Sequence, residues 1–242
     1  MKSKPKIAII GGTGSENIPL LKYFKLRTTV TKFGLIRFKQ GTISGKPVIF
    51  LPRHGFNYKA PHQINYRANV ALLKQEKVNY ILATGACGSI NGKIKPGDFV
   101  LLSDFIDFTR NRIESFGDKF FDLSEPYNTS LNEKLYKAAR KLKLRIHKNA
   151  VYVSTEGPRF ETKAEINAYR ILGADVVGMT QVPEVVLAAE AKIPYAALGV
   201  ATNYAAGMQK KVSAEEVSNI MKKKAHDIFK IFSLVISNLG LH

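Results

Sequence analysis

Residues 7–15, IAIIGGTGS, join a short apolar run to a glycine-rich turn, and this combination decides the class of fold. Four consecutive apolar residues bounded by glycine are typical of a strand that is buried on both faces. Similar runs occur at residues 48–51, 80–83, 99–102, 151–153, 175–177 and 195–200. The sequence therefore predicts a sheet that is largely covered by other elements.

Segments with the apolar spacing of amphipathic helices alternate with these runs, at residues 64–75, 131–142, 163–172, 182–191 and 214–239. This alternation predicts an α/β sandwich. Residues 27–45 differ, because strand-forming residues lie on both sides of a turn near Gly34 and predict a hairpin. We therefore expect a mixed sheet, and a single domain over residues 1–242 because no linker or low-complexity stretch divides the chain.

Composition limits the class of protein. The chain has 242 residues, of which 45% are hydrophobic, enough for one large core. Cys87 is the single cysteine, which excludes an intramolecular disulfide, and no Cys/His cluster has the spacing of a zinc site. The apolar run at residues 7–10 is too short for a signal or membrane segment. We expect a cytoplasmic protein with no metal and no membrane partner.

The formal net charge is +18, from 37 Lys and Arg against 19 Asp and Glu. Such an excess is compatible with a nucleic-acid partner. However, the lysines of residues 134–148 and 222–224 lie among apolar residues at helical spacing, which is typical of solvated helix faces. We expect no nucleic-acid partner, and a general attraction for anions.

Six short motifs combine small and polar residues of the kinds that hold phosphate and polar small molecules. They are GGTGS at 11–15, RHG at 53–55, TGACGS at 84–89, EGPRF at 156–160, MT at 179–180 and NYAAG at 203–207. The motifs beginning at 11, 53, 84 and 203 are each predicted to follow a strand. Ligands of α/β proteins collect at the carboxyl ends of strands, so we expect these four to converge.

Taken singly, these motifs are ambiguous. The turn at residues 11–15 lacks the spacing of a dinucleotide fingerprint and the Gly-Lys-Ser/Thr ending of a Walker loop, which argues against a dinucleotide-dependent oxidoreductase. Arg53 and His54 offer a planar cation and an imidazole that suit a phosphate dianion, or else a surface ion pair beside a core histidine. His62 either lines the same cleft or caps the following helix.

The order of the motifs, with residues 61–69, 96–98 and 180–184, resembles the trimeric purine nucleoside phosphorylases, and specifically their 5′-methylthioadenosine phosphorylase branch. The resemblance covers residues 7–217. It implies a single three-layer α/β/α domain around a mixed, mostly parallel sheet, assembled as a homotrimer or homohexamer. It also implies cleavage of nucleosides with inorganic phosphate as co-substrate, without a metal or an organic cofactor.

The resemblance also implies roles for individual residues. Phosphate would be held by Thr13, Arg53, His54, Gly85, Ala86 and Thr180. The nucleoside would contact Phe160, Met179, Asn203, Tyr204, Ala205 and Val217, with Asn203 and His54 as the catalytic residues. Phe120 is expected to reach a neighbouring subunit's site. Gly85 stands where some relatives carry threonine, so only its N–H can serve.

Substrate preference depends on Asn203 and Ala205, where adenine-specific relatives carry aspartates. An asparagine amide can donate to a 6-oxo group and accept from a protonated ring nitrogen, but it presents the wrong pattern to a 6-amino group. We therefore predict phosphorolysis of inosine, guanosine or 5′-methylthioinosine. A 5′-methylthioadenosine phosphorylase and a phosphate-independent nucleoside hydrolase are the alternatives.

Overall fold

The computed structural model describes residues 4–15 and 18–240. The strands are β1 Ile7–Gly11, β2 Lys25–Thr31, β3 Gly34–Ile43, β4 Lys46–Pro52, β5 Tyr80–Ser89, β6 Phe99–Asp107, β7 Ile146–Ser154, β8 Val176–Gly178 and β9 Tyr195–Tyr204. The helices are α1 Tyr66–Gln75, α2 Thr129–Lys141, α3 Lys163–Ile171, α4 Glu184–Glu190 and α5 Ala214–Ser237. The domain predicted over residues 1–242 also includes residues 1–3, 16–17 and 241–242, which lie outside the described residues.

The strands within the described residues form one sheet in the order β2-β3-β4-β1-β5-β8-β7-β6-β9. Strand β5 also pairs with β9, so the strands from β5 to β9 close into a ring. The pairs β1–β4, β1–β5, β5–β9, β6–β7 and β7–β8 are parallel, and the other four pairs are antiparallel. The predicted mixed, mostly parallel sheet is confirmed, and the predicted hairpin is the pair β2–β3.

Helices cover both faces of the sheet because successive strand residues point to opposite sides. Ile81 and Ala83 of β5 pack in one core cluster with Leu73 of α1 and Val185 of α4. Leu82 packs on the other side in a cluster that includes residues of α2 and α5. The predicted three-layer arrangement is therefore present.

The structure corrects the prediction that the motifs at 84–89 and 203–207 begin after strands. Residues 84–89 and Asn203 lie inside β5 and β9, which pair in parallel along these segments and bring Gly88 opposite Asn203. The apolar runs end at Ala83 and Val200, but main-chain pairing continues through the small and polar residues beyond them. The motif at 53–55 does follow β4, and the motif at 11–15 follows β1 except for Gly11, the last residue of that strand.

The second edge of β5 is interrupted in the middle. Strand β1 pairs with β5 only as far as Ala83, and β8 joins that edge at Gly88. Residues 84–87 therefore have no strand partner on this side within the described part of the chain. This gap between β1 and β8 is the kind of strand divergence at which ligands bind in α/β sheets.

Candidate active site

A cavity of about 280 Å³ opens at this gap. Its volume lies just below the roughly 300–1,000 Å³ found for small-molecule sites. Its wall is formed by Gly12, Thr13, Arg53, His54, Tyr58, Ala60, Pro61, residues 85–88, Pro158, Phe160, Glu161, residues 177–180, Thr202, Asn203, Ala205, Ala206, Val212, Ala214 and Val217. The four predicted motifs thus converge, together with those at 156–160 and 179–180.

All six residues predicted to hold phosphate lie in this wall: Thr13, Arg53, His54, Gly85, Ala86 and Thr180. Close approach depends on glycine at one of the neighbouring positions. A Cβ atom on Gly12 would lie 2.9 Å from Arg53 Nη1, and one on Gly85 would lie 3.4 Å from the same nitrogen. A side chain at Gly12 would therefore collide with the guanidinium, whereas the distance at Gly85 is an ordinary van der Waals contact.

The Arg53 side chain is fully buried and paired with Glu184 of α4. Nε donates to Glu184 Oε2 at 2.8 Å, Nη2 donates to Oε1 at 2.7 Å, and Nη1 donates to Thr84 O at 2.7 Å. Burial alone would lower the pKa of Arg53, but the ion pair raises that pKa well above its usual value. Arg53 thus stays cationic and keeps one N–H on each of Nη1 and Nη2 for a ligand.

His54 is held in one tautomer. Its Nδ1 lies 2.8 Å from Lys59 O and donates to it, which leaves Nε2 as an acceptor in the neutral ring. The ring stacks on Tyr58 at 4.6 Å, and Tyr58 Oη lies 3.0 Å from Thr13 Oγ1. Burial lowers the pKa of His54, so the imidazole is neutral at pH 7. It can accept a proton from a phosphate hydroxyl.

Asn203 is buried at the other end of the cavity with its amide oriented. Its Oδ1 accepts from Thr202 Oγ1 at 2.8 Å, and its Nδ2 donates to Tyr204 O at 2.9 Å. The predicted substrate-binding residues Phe160 and Ala205 line the wall nearby. This end therefore combines an aromatic surface with a fixed donor and acceptor.

Glu161 also lines the cavity, and the sequence analysis missed it. Thr155 Oγ1 donates to Glu161 Oε1 at 2.7 Å. Burial raises the pKa of the Glu161 carboxyl above its usual value, although the Thr155 hydroxyl opposes the shift. Its position directly after Phe160 in the EGPRF motif was the available signal.

Met179 and Val217, predicted to contact substrate, lie in the wall together with Val212 and Ala214, which the sequence analysis did not select. Ser213 caps α5 by accepting from Glu216 N at 3.1 Å, and this fixes the first turn that carries Ala214 and Val217. This part of the wall is apolar.

Arg112, also missed from the sequence, fixes the main chain around the cavity. Its side chain is only 3% exposed. Nη1 donates at 2.6 Å to the carbonyls of both Met179 and Val182, and Nη2 donates to Glu156 O at 2.8 Å. The segments that carry Thr180 and Phe160 are thereby joined.

Three residues considered in the sequence analysis lie outside this wall: Tyr204, His62 and Phe120. His62 is exposed on another face, between Lys59 and Arg67. The Phe120 side chain is fully exposed and does not contribute to its own chain's cavity.

Within residues 4–15 and 18–240, no three His, Cys, Asp or Glu side chains are grouped as a metal site would require. Cys87 lines the cavity as a free thiol, and burial raises its pKa to about 12, so it is protonated at neutral pH. None of the helices in the described residues has the length and apolar content needed to cross a bilayer.

The chain belongs to the phosphorylase superfamily, whose family profile matches residues 6–237. It is 46% identical over 245 aligned residues to the 6-oxopurine nucleoside phosphorylase of Pyrococcus furiosus, covering 96% of this chain and 92% of that protein. It is 44% identical to the probable S-methyl-5′-thioinosine phosphorylase of Methanopyrus kandleri, covering 90% and 86%. The methylthioadenosine phosphorylase of Schistosoma mansoni, solved with adenine, superposes with a TM-score of 0.91 at 31% identity, covering 97% and 91%.

Proposed function

We propose that this protein is a purine nucleoside phosphorylase that cleaves 6-oxopurine nucleosides with inorganic phosphate. One observation carries the proposal: the wall of a single cavity includes Arg53 and Thr180, which suit an anion, and also the polar side chains of Glu161 and Asn203, which suit a base. A hydrolase would need no anion site.

In the proposed reaction, phosphate attacks the anomeric carbon as the bond to the purine breaks. The ribosyl ring then carries positive charge, as in other glycosyl transfers. Phosphate, bound by Arg53, Thr13, Thr180 and the N–H groups near Gly85 and Ala86, stabilises this charge, while His54 Nε2 accepts its hydroxyl proton. Alignment of both substrates lowers the entropic cost, and the protein supplies no covalent nucleophile.

Asn203 and Glu161 are proposed to select the base. The Asn203 amide donates to the 6-oxo group and accepts from the protonated ring nitrogen as the purine leaves, while Phe160 packs on the ring. An ionised Glu161 accepts from the N1–H that 6-oxopurines carry and that adenine lacks. Both contacts favour 6-oxopurines, in line with the function that the name of the Pyrococcus furiosus relative states.

The apolar wall at Val212, Ala214 and Val217 is proposed to contact the 5′ substituent, with Met179 against the ribose. An apolar surface suits a methylthio group, since a buried hydroxyl without a partner is costly. We therefore include 5′-methylthioinosine among the substrates alongside inosine and guanosine.

The active form is proposed to be a cytoplasmic homotrimer that works without metal or organic cofactor. The exposed Phe120, together with Phe121 and Phe108, supports an intersubunit contact because large exposed apolar groups often mark interfaces. Phe120 would then close a neighbouring subunit's cavity.

The test is release of hypoxanthine from inosine with and without phosphate. We expect release only with phosphate, accompanied by ribose 1-phosphate, and undiminished by EDTA. Release without phosphate would identify a hydrolase instead. Parallel assays with guanosine, 5′-methylthioinosine and 5′-methylthioadenosine rank the substrates.

A further inference from the structure

Tyr58 contacts two of the residues that are proposed to bind phosphate. Its hydroxyl oxygen lies 3.0 Å from Thr13 Oγ1. Its ring stacks on the imidazole of His54, with the centroids 4.6 Å apart and the planes within 7° of parallel. All three residues line the cavity. A residue to which the sequence analysis gave no role therefore touches two of the proposed phosphate-binding side chains.

The backbone of Tyr58 has an unusual conformation. Its φ angle is 44°, in the left-handed region that bulky residues rarely adopt. Tyr58 is also 60% exposed, so packing in the core does not explain this conformation. Strained residues persist where their surroundings impose the strain, and they are commonest at ligand sites.

Two hydrogen bonds between His54 and Lys59 close the loop that carries Tyr58. Lys59 N donates to His54 O at 2.8 Å, and His54 Nδ1 donates to Lys59 O at 2.8 Å. The loop is therefore short and closed, and it turns the aromatic ring of Tyr58 back onto His54. The bond to Lys59 O fixes one nitrogen of the imidazole, and the stack on Tyr58 fixes the plane of the ring.

The direction of the hydrogen bond between Tyr58 and Thr13 depends on what Thr13 binds. Each hydroxyl has one proton, and either oxygen is able to accept. A charged phosphate oxygen can only accept, so Thr13 must give its single proton to the anion. The Thr13 oxygen then accepts from the Tyr58 hydroxyl. Hydrogen bonds linked in this way polarise one another, which strengthens the bond to the anion.

We propose that Tyr58 is a positioning residue of the phosphate subsite. Its hydroxyl orients the Thr13 hydroxyl toward the anion, and its ring holds the His54 imidazole so that Nε2 faces the phosphate. This inference rests on the proposed function, since it concerns how two of the proposed phosphate-binding groups are held. Tyr58 acts through these two residues and needs no contact with phosphate.

The test uses Tyr58→Phe, which keeps the ring and removes only the hydroxyl. It is made alone and together with Thr13→Val, which replaces the threonine hydroxyl by a methyl group. Tyr23→Phe is the matched control, because it removes the hydroxyl of another exposed tyrosine that lies outside the cavity wall. Two quantities are measured: the separate KM values for phosphate and inosine, and the rise in melting temperature with inorganic phosphate alone. The second requires no turnover.

We expect Tyr58→Phe to raise the KM for phosphate about fivefold, as for one lost hydrogen bond, and to leave the KM for inosine within about twofold. Tyr23→Phe should change neither quantity. When Thr13→Val is already present, Tyr58→Phe should have no further effect, because the hydroxyl that it orients is gone. Unchanged phosphate binding in Tyr58→Phe, or additive effects in the double variant, overturns the inference.

Tyr58→Leu tests the role of the ring, because it removes the stack on His54 as well as the hydroxyl. The KM for phosphate should rise about threefold beyond that of Tyr58→Phe, and this increment should remain in the Thr13→Val background. Equal values for Tyr58→Leu and Tyr58→Phe contradict the role assigned to the ring.

The same measurements separate this inference from the proposed function. A wild-type protein that releases base without phosphate contradicts the proposed function. A wild-type protein that requires phosphate, and whose phosphate binding is unchanged by Tyr58→Phe, contradicts the inference alone.

Discussion

Arg53 and Glu184 form a two-point ion pair in which neither side chain is exposed, with Nε–Oε2 and Nη2–Oε1 distances of 2.8 and 2.7 Å. Burying two charges is expensive, and their attraction offsets the cost only while both are present. Arg53 is also the cation of the proposed phosphate site, so the residue that holds this cation in place, Glu184, also contributes to the stability of the core.

Replacing Glu184 by glutamine should destabilise the protein by about 3 kcal/mol, because Arg53 is left as an uncompensated buried charge. The free energy of unfolding in urea measures the effect. Glu76→Gln is the control, since it removes the partly exposed pair with Lys6 and should cost about 1 kcal/mol or less. Equal losses in the two variants would show that Glu184 compensates Arg53 no more than an exposed partner compensates Lys6.

Replacing Asn203 by aspartate should shift base preference toward adenosine. The carboxylate can accept from a 6-amino group, whereas it repels a 6-oxo oxygen. We expect the ratio of kcat/KM for inosine to that for adenosine to fall by about 10- to 100-fold, as for one mismatched buried polar group. A ratio equal to that of the wild-type protein would remove Asn203 from base selection.

The same ratio should depend on pH through Glu161. Burial raises the pKa of this carboxyl, so lowering the pH protonates it earlier than an ordinary glutamate. A protonated carboxyl can donate to adenine N1 and no longer serves as an acceptor-only partner of the N1–H of hypoxanthine. The preference for inosine should therefore decrease as the pH falls, and Glu161→Gln should abolish this dependence. Identical profiles for the two proteins would contradict the role of Glu161.

Stability should also decrease as the pH falls, because of His54. Burial lowers the pKa of His54 in the folded protein, so the unfolded chain binds its proton first. The free energy of unfolding begins to decrease near pH 6.5, about the ordinary pKa of histidine. It stops decreasing below the lowered pKa of His54 in the folded protein. The amide of Asn in the His54→Asn variant can still donate to Lys59 O. Between pH 7.5 and 5.5, the melting temperature of this variant should fall by less than that of the wild-type protein. An equal loss in both proteins would exclude this contribution.

Phe120→Ala tests the proposed assembly. If Phe120 closes a neighbouring cavity, the variant should show a higher KM for the nucleoside, by about tenfold for a lost aromatic contact, with the KM for phosphate unchanged. Light scattering of both proteins reports the oligomeric state. A monomeric wild-type protein would contradict the trimer.

Sequence patterns predicted the alternation of strands and helices and the hairpin, because these follow from periodicity, whereas the residues expected to bind phosphate came from the resemblance to a family. The partner of Arg53 lies 131 positions away, and no local pattern indicates it. The role of Arg112 could not be predicted for the same reason, because its acceptors are main-chain carbonyls on distant segments. Residues 84–89 were assigned to a loop because small and polar residues resemble turns, whereas pairing with β9 keeps them extended.

The interrupted edge of β5 has a consequence for how the unliganded protein behaves in deuterated water. The flanking amides at 81–83 and 88–89 lie between two strands, whereas those of residues 84–87 that face the gap have no strand partner on that side among the described residues. Isotope exchange at this short segment should be fast when the cavity is empty and slow once an oxyanion fills it. The exchange rate of the amides in the middle of β5 thus indicates whether the cavity holds an anion, without any spectroscopic label.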